Sequence, residues 1–280
     1  LAENPLKQYS KRPGTFVSLP SDGKFYTVPP EMSADGEIEI RPMTASDEIK
    51  LKNPDGLMNS ESLFQVIEHI APGIANAKDI PTPDLDIIVI GMRLATYGQF
   101  MDVNVTCKNC SHTENYQINL SNVLASAGKI TAPDKVNVGG LVVSIRPHTT
   151  ESNTMYSNYQ VELLRAARMV ETNVMENKEP LNKQLAEIMA KGSQILYEIA
   201  MNHVTSVMMP DGNSITDKSL IKEWLADLAA PDYQLVRDAV NALSKEQIDR
   251  NVSFHCTQCE TENKVEVSFD PANFFGASSL

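Results

Sequence analysis

The period of the apolar residues changes repeatedly along this chain, and each change predicts a new element. Ile38 and Ile40 alternate with Glu37 and Glu39 as in a strand, and Thr15 to Leu19 reads as a shorter strand before them. Thr44 then offers a hydroxyl cap to a short helix with Asp47 and Glu48 in its first turn. A turn at Asn53, Pro54, Asp55 and Gly56 separates it from a second helix. That helix is capped by Asn59 or Ser60, carries Leu63, Val66, Ile67 and Ile70 on one face, and ends at Pro72-Gly73. Pro81 and Pro83 lead into a third helix from about Asp84 to Tyr97, in which Leu85, Ile88, Val89, Met92 and Ala95 recur at helical spacing before Gly98 closes it.

Beyond Gly98 the period falls to two. Tyr116, Ile118 and Leu120 mark one alternating strand, and Val265, Val267 and Phe269 mark another near the far end. Val136 and Val138 precede Gly139-Gly140, and Leu141, Val143 and Ile145 follow it, a strand, tight turn and strand. From Glu151 helical spacing returns. Met155, Tyr159, Leu163, Ala166, Met169 and Val170 suit one long amphipathic helix. Leu185, Ile188, Met189, Ile195, Leu196, Ile199 and Ala200 suit a second after Pro180, and the two predict a helical hairpin. His203 to Met209 with the turn Pro210 to Asn213 predicts a small β-hairpin, and two more helices fall near Asp217 to Leu228 and Pro231 to Leu243.

These elements predict an α+β fold: a β base with a mainly helical insertion and an extended N-terminal arm. The expected segments are an arm with short strands over 1–42, a helical segment over 43–98 and a first cysteine hairpin with a β-hairpin over 99–148. The helical insertion covers 149–247, and a second cysteine hairpin with a tail covers 248–280. Five prolines in the first thirty residues suit an extended arm, with Leu6, Tyr9, Phe16, Phe25 and Tyr26 set among polar neighbours. Those side chains need a surface, either the arm's own domain or a neighbouring subunit. In the second case residues 1–30 are expected to order only in a complex.

All four cysteines sit in two Cys-x-x-Cys pairs, Cys107/Cys110 and Cys256/Cys259. The flanks repeat as well, Val103 to Cys110 aligning with Val252 to Cys259, so each copy reads as strand, knuckle, strand. A Cys-x-x-Cys turn points both sulfurs to one side, and two such pairs complete a tetrahedral Zn-S4 site. The pairs are separated by residues 111–255, that is 145 residues, far more than the roughly 15–20 of a compact zinc ribbon. The expected site is therefore one structural Zn2+ held by Cys107, Cys110, Cys256 and Cys259, closing a zinc-ribbon-like base from distant hairpins. Two disulfides also satisfy the cysteine count, but no signal-like apolar stretch lies near Leu1. A redox pair is expected to open a helix, whereas these sit between strands. His112 and His255 flank the knuckles and could replace a thiolate, although four cysteines already fill a tetrahedron, and another thiophilic metal such as iron stays open.

Composition narrows the function classes. With 42% hydrophobic and 21% charged residues the chain has material for one sizeable core or two smaller ones. The apolar run Ile87 to Met92 is cut by Arg93 and is too short for a membrane span. A formal net charge of −12 opposes a general phosphate-binding surface. The dinucleotide, P-loop, nucleophile-elbow and zincin motifs are missing, and Asp84, Asp86, Glu114 and Glu262 are explained as helix first-turn or turn carboxylates, so no catalytic residue is expected. Several of the twelve methionines fall in the helices, where they serve as core filling or as an adaptable binding surface.

One resemblance gathers these features. Asn4 to Tyr9 with Arg12-Pro13, Leu19-Pro20 to Phe25-Tyr26, Pro42 to Ile49 and Asn53 to Asn59 stand with the paired Cys-x-x-Cys and the ending Phe269 to Phe275. Together they resemble the baseplate hub family of contractile-tailed, T-even-like phages. The resemblance implies a virion tail baseplate protein assembled in the host cytoplasm, with other baseplate and tail proteins as partners and with ring-like self-association. It implies no nucleic acid, membrane or small-molecule substrate. An assembly chaperone that leaves the hub, or a zinc-ribbon regulator binding nucleic acid or polymerase, are the alternatives.

Overall fold

A computed structural model describes residues 12–52, 60–172, 179–245 and 247–267. The expected turn at Asn53 to Gly56, the cap at Asn59 and the aromatic ending from Phe269 lie outside the described residues. By its contacts the chain divides into two compact units, residues 1–130 with 246–280, and residues 131–245.

The first unit opens with β1 (Thr15–Ser18) and β2 (Glu37–Ile40), paired antiparallel so that Val17 faces Ile38 and Thr15 faces Ile40. Helices α1 (Ala45–Leu51), α2 (Glu61–Ile70) and α3 (Thr82–Tyr97) follow, with a 3-10 turn at Ala77–Asp79. The expected Thr44 cap is present as a reciprocal capping box with Asp47. Ser60 does precede α2, but its backbone is left-handed (φ 57) and its hydroxyl makes no cap bond. That geometry turns the side chain away from the amides an extended cap residue would reach. Helix α3 is the centre of the unit. Ile87, Ile88, Val89, Ile90 and Met92 are all buried, because the helix is covered on several sides rather than along one stripe. Gly91 lies where the β1–β2 ribbon crosses it, and a Cβ there would stand 3.1 Å from Val17 Cγ1 and 3.3 Å from Ile40 Cγ1.

From residue 12 onward the arm packs on this unit, the first of the two surfaces expected for it. The reason is a set of buried carboxylates. Asp84, fully buried in the first turn of α3, accepts from the Ser21 backbone N–H at 2.9 Å, from the Ser21 hydroxyl, and from the Tyr26 hydroxyl at 2.8 Å. Asp79 accepts from the Thr27 N–H. Burial pushes the Asp84 carboxyl up to about 6, although Ser21 and Tyr26 pull the other way.

Strands β3 (Phe100–Thr106) and β4 (Thr113–Asn119) form the first cysteine hairpin. The alternation was expected to run through Leu120, but Asn119 instead caps a short helix, α4 (Leu120–Ala125), that buries Leu120 and Val123. The second unit intervenes, and the chain returns beside its exit: the Gly128 N–H donates to the Gln247 carbonyl at 2.7 Å. Strands β9 (Asn251–His255) and β10 (Glu262–Glu266) form the second cysteine hairpin. Arg250 pairs with Asp86 of α3 at 2.6 Å and anchors this return.

In the second unit β5 (Lys135–Val138) and β6 (Leu141–Ile145) make the expected hairpin, with Gly139 and Gly140 at φ 56 and 85. The strand β7 (Val204–Met208) and the short β8 (Ser214–Ile215) form the expected second hairpin, and β7 pairs with β6. One antiparallel sheet of order β5-β6-β7-β8 results. Between β6 and β7 run α5 (Thr150–Thr172) and α6 (Glu179–His203), packed as the expected helical hairpin. Gly192 in α6 is required by close approach, since a Cβ there would fall 2.0 Å from Tyr159 Cζ of α5. Helices α7 (Lys218–Asp227), capped by Asp217, and α8 (Ala230–Leu243) complete the unit.

Candidate metal centre

The two cysteine hairpins are separate two-stranded sheets that meet at their knuckles. In each, the first cysteine's N–H donates across the turn, Cys107 to the His112 carbonyl at 2.8 Å and Cys256 to the Thr261 carbonyl at 3.1 Å. The residue after each second cysteine, Ser111 or Glu260, has a left-handed backbone with φ 58 or 56 and returns its N–H to the first cysteine's carbonyl. Neither is glycine, so each turn holds a conformation that glycine adopts more freely.

This geometry brings all four expected ligands together. The Sγ atoms of Cys107, Cys110, Cys256 and Cys259 lie within 4.8 Å of one another. Cys107 Sγ is 3.6 Å from Cys259 Sγ, and Cys110 Sγ is 3.6 Å from Cys256 Sγ. A tetrahedron with metal–sulfur bonds of about 2.3 Å has sulfurs about 3.8 Å apart, so the donor set fits a metal ion. Cys107 and Cys256 are buried, while the other two lie nearer the surface. His112 and His255 fall outside the group, His255 being exposed.

Unmetallated, the thiols are unequal. Backbone N–H donation from Cys110 and Asn109 holds the Cys107 thiol below its ordinary value. The Thr261 hydroxyl and N–H bring Cys259 down to about 6. At Cys110 the His112 N–H pulls down but is outweighed by desolvation and the neighbouring sulfurs, which push it up to about 12. Such a cluster is costly as four free thiolates and is relieved by a cation.

Side chains that the motif did not announce surround the sulfurs. Asn263 is buried. Its Oδ1 accepts from the Lys108 N–H at 3.0 Å, and its Nδ2 donates to Cys107 Sγ at 3.4 Å and to the Thr261 carbonyl at 2.9 Å. Asn109 Nδ2 reaches Cys259 Sγ at 3.7 Å. Glu114 accepts from the Thr257 N–H at 3.2 Å and from its hydroxyl at 2.6 Å. Beneath the knuckles the Tyr116 and Phe254 rings pack with centroids 5.6 Å apart.

The second unit holds a different cluster. A cavity of about 620 Å³ is walled by Tyr156, Leu196, Leu225 and Val236, with His148 and His203 at one side. His148 Nδ1 and His203 Nε2 are 2.8 Å apart, and burial pushes His203 down to about 3, with His148 and Arg146 adding to it. Of the other acidic residues weighed from the sequence, Asp84 and Asp86 serve the packing of α3, and Glu262 stands in β10 opposite His255.

Among the described residues no helix is long and apolar enough to cross a membrane. Fold and site together define a mixed α/β protein in which two distant cysteine hairpins close one four-sulfur cluster. A family model described as T4 bacteriophage base plate protein matches residues 13–276, and the chain belongs to that family. No curated protein and no solved structure matches it.

Proposed function

We propose that the chain is a non-catalytic structural subunit of a contractile phage tail baseplate, positioned in the hub region and stapled by one zinc ion on Cys107, Cys110, Cys256 and Cys259. The observation that carries this reading is the family match, which spans residues 13–276 and so takes in both cysteine pairs. In this reading the two hairpins form a zinc-ribbon-like base. Four thiolates leave no open position for water or substrate, so the metal's role is structural. Its binding energy is folding energy for a unit whose two parts are separated by more than a hundred residues of chain. The protein then acts through interfaces with other baseplate and tail proteins and with copies of itself in a ring. Apolar side chains left open on the helical hairpin, Val161, Leu164 and Met189, support that use.

Quantitative mass spectrometry of the chain in purified virions and in tail intermediates from infected cells tests the reading. A fixed small ratio to tail-tube protein in mature particles is the expected result. Enrichment in intermediates with loss from virions would instead identify an assembly chaperone of the hub.

A further inference from the structure

The two halves of the cysteine site are equivalent position by position. Adding 149 to a residue number in the first hairpin gives its counterpart in the second, so Cys107 matches Cys256, Lys108 matches Thr257 and Glu114 matches Asn263. The geometry follows the same rule. The two 3.6 Å sulfur contacts exchange under it, as do the left-handed residues Ser111 and Glu260 and the turn bonds of Cys107 and Cys256. So do the cross-hairpin bonds: Asn263 accepts from the N–H after Cys107, and Glu114 accepts from the N–H after Cys256. A local pseudo-twofold axis therefore passes through the centre of the four sulfurs.

At the Glu114/Asn263 pair the chemistry departs from this symmetry. Asn263 carries two N–H donors besides its acceptor, and its orientation is fixed because the Lys108 N–H needs the oxygen, which leaves Nδ2 facing Cys107 Sγ and the Thr261 carbonyl. Glu114 can clamp the opposite knuckle but cannot donate while ionised, and Thr257 keeps its carboxyl below the usual range. Four thiolates on a divalent cation carry a net negative charge, which an N–H donor offsets and a carboxylate does not.

We propose that Asn263 and Glu114 are the paired positioning residues of this metal site, each locking the other hairpin's knuckle, and that of the two only Asn263 also tunes a ligand sulfur. This rests on the metal reading above. Hydrogen-bond donation to Cys107 makes that sulfur the less electron-rich ligand and raises the affinity of the whole site.

The test uses the full chain loaded with zinc or with cobalt(II). Asn263→Asp keeps the acceptor for the Lys108 N–H and removes the donor to sulfur and to the Thr261 carbonyl, whereas Glu114→Ala removes a clamp and no sulfur contact, so the charge-transfer band reports the sulfur bond. Asn263→Asp is expected to lower zinc affinity, measured by chelator competition, at least about tenfold, and to move the sulfur-to-cobalt charge-transfer band to lower energy. Glu114→Ala is expected to lower affinity with that band unmoved. Thermal melts of the loaded proteins separate these effects from unfolding. A wild-type chain that binds neither metal would overturn the metal reading and this proposal with it. A wild-type chain that binds both, with affinity and band unchanged in Asn263→Asp, would overturn this proposal alone.

Discussion

His148 and His203 show how single residues set the conditions under which this protein stands. Their rings touch edge to face with centroids 4.3 Å apart, and among the groups around them are Arg146 just beyond β6, Lys218 at the start of α7 and Asn241 of α8. No carboxylate is among the causes acting on either ring, so both imidazoles are held below their ordinary value, first by burial. A histidine whose folded value is depressed contributes stability in full above its unfolded value of about 6.5, and this is lost as pH falls toward the folded value. With His203 at about 3, the second unit is expected to lose about 2 kcal/mol between pH 8 and pH 5 from this residue. Trp224, the chain's single tryptophan, lies in α7 of that unit, so its fluorescence during denaturant unfolding reports the change directly. A midpoint independent of pH between 8 and 5, or the same slope in His203→Gln, would remove the histidine pair from the account. Asp84 has the opposite sign. Its folded value is raised to about 6, so its effect favours the fold at low pH and fades as pH rises through that value.

At the scale of elements, the close contacts matter more than the number of them. Gly192 sits in the interior of α6, where alanine would gain about 1 kcal/mol of helix propensity, yet the Tyr159 ring occupies the space its methyl would need. Gly192→Ala is expected to cost about 1–3 kcal/mol net, read by the same Trp224 signal, and to be restored by Tyr159→Ala in the same chain. A stabilised Gly192→Ala would mean that the ring lies elsewhere. Elements with a strong local signature are legible in the sequence. The β5–β6 turn needs two positive φ values and has Gly139-Gly140. Helix α3 is announced by Pro81, Pro83 and Gly98, and α1 by Thr44 and Asp47. Helix α4 is not legible, because six residues give no period and Leu120 continues the alternation of Tyr116 and Ile118, with only Asn119 marking the change. Nor is the pairing of β6 with β7, which depends on where a helical hairpin of more than fifty residues returns the chain. Of the site, the four cysteines follow from spacing alone. Asn263 and Glu114 do not, since their partners lie in the other hairpin, although the 149-residue offset that aligns the cysteines also aligns these two.

For the whole molecule the consequence is a first unit built from two distant stretches of chain, with a second unit carried between them. The Gly128–Gln247 bond, the Arg250–Asp86 pair, the Tyr116–Phe254 packing, the burial of Ile248 and Val267 in the shared core and the cysteine cluster are among the places where the two stretches are joined. The bond is one ordinary backbone contact, and the ion pair is partly solvated and worth little more. A structural zinc site is of a different order, about 10–16 kcal/mol in isolated zinc-binding peptides. The proposed zinc staple is therefore what most holds the first unit together, and it is tested by the zinc content of the purified full chain together with its reactive thiols before and after chelation. One zinc per chain is expected, with thiols shielded while it is bound and all four cysteines reactive once it is stripped, the first unit then losing its cooperative unfolding. A metal-free chain whose thiols react at once, or are absent because they are paired as disulfides, while the unit still unfolds cooperatively, would contradict it.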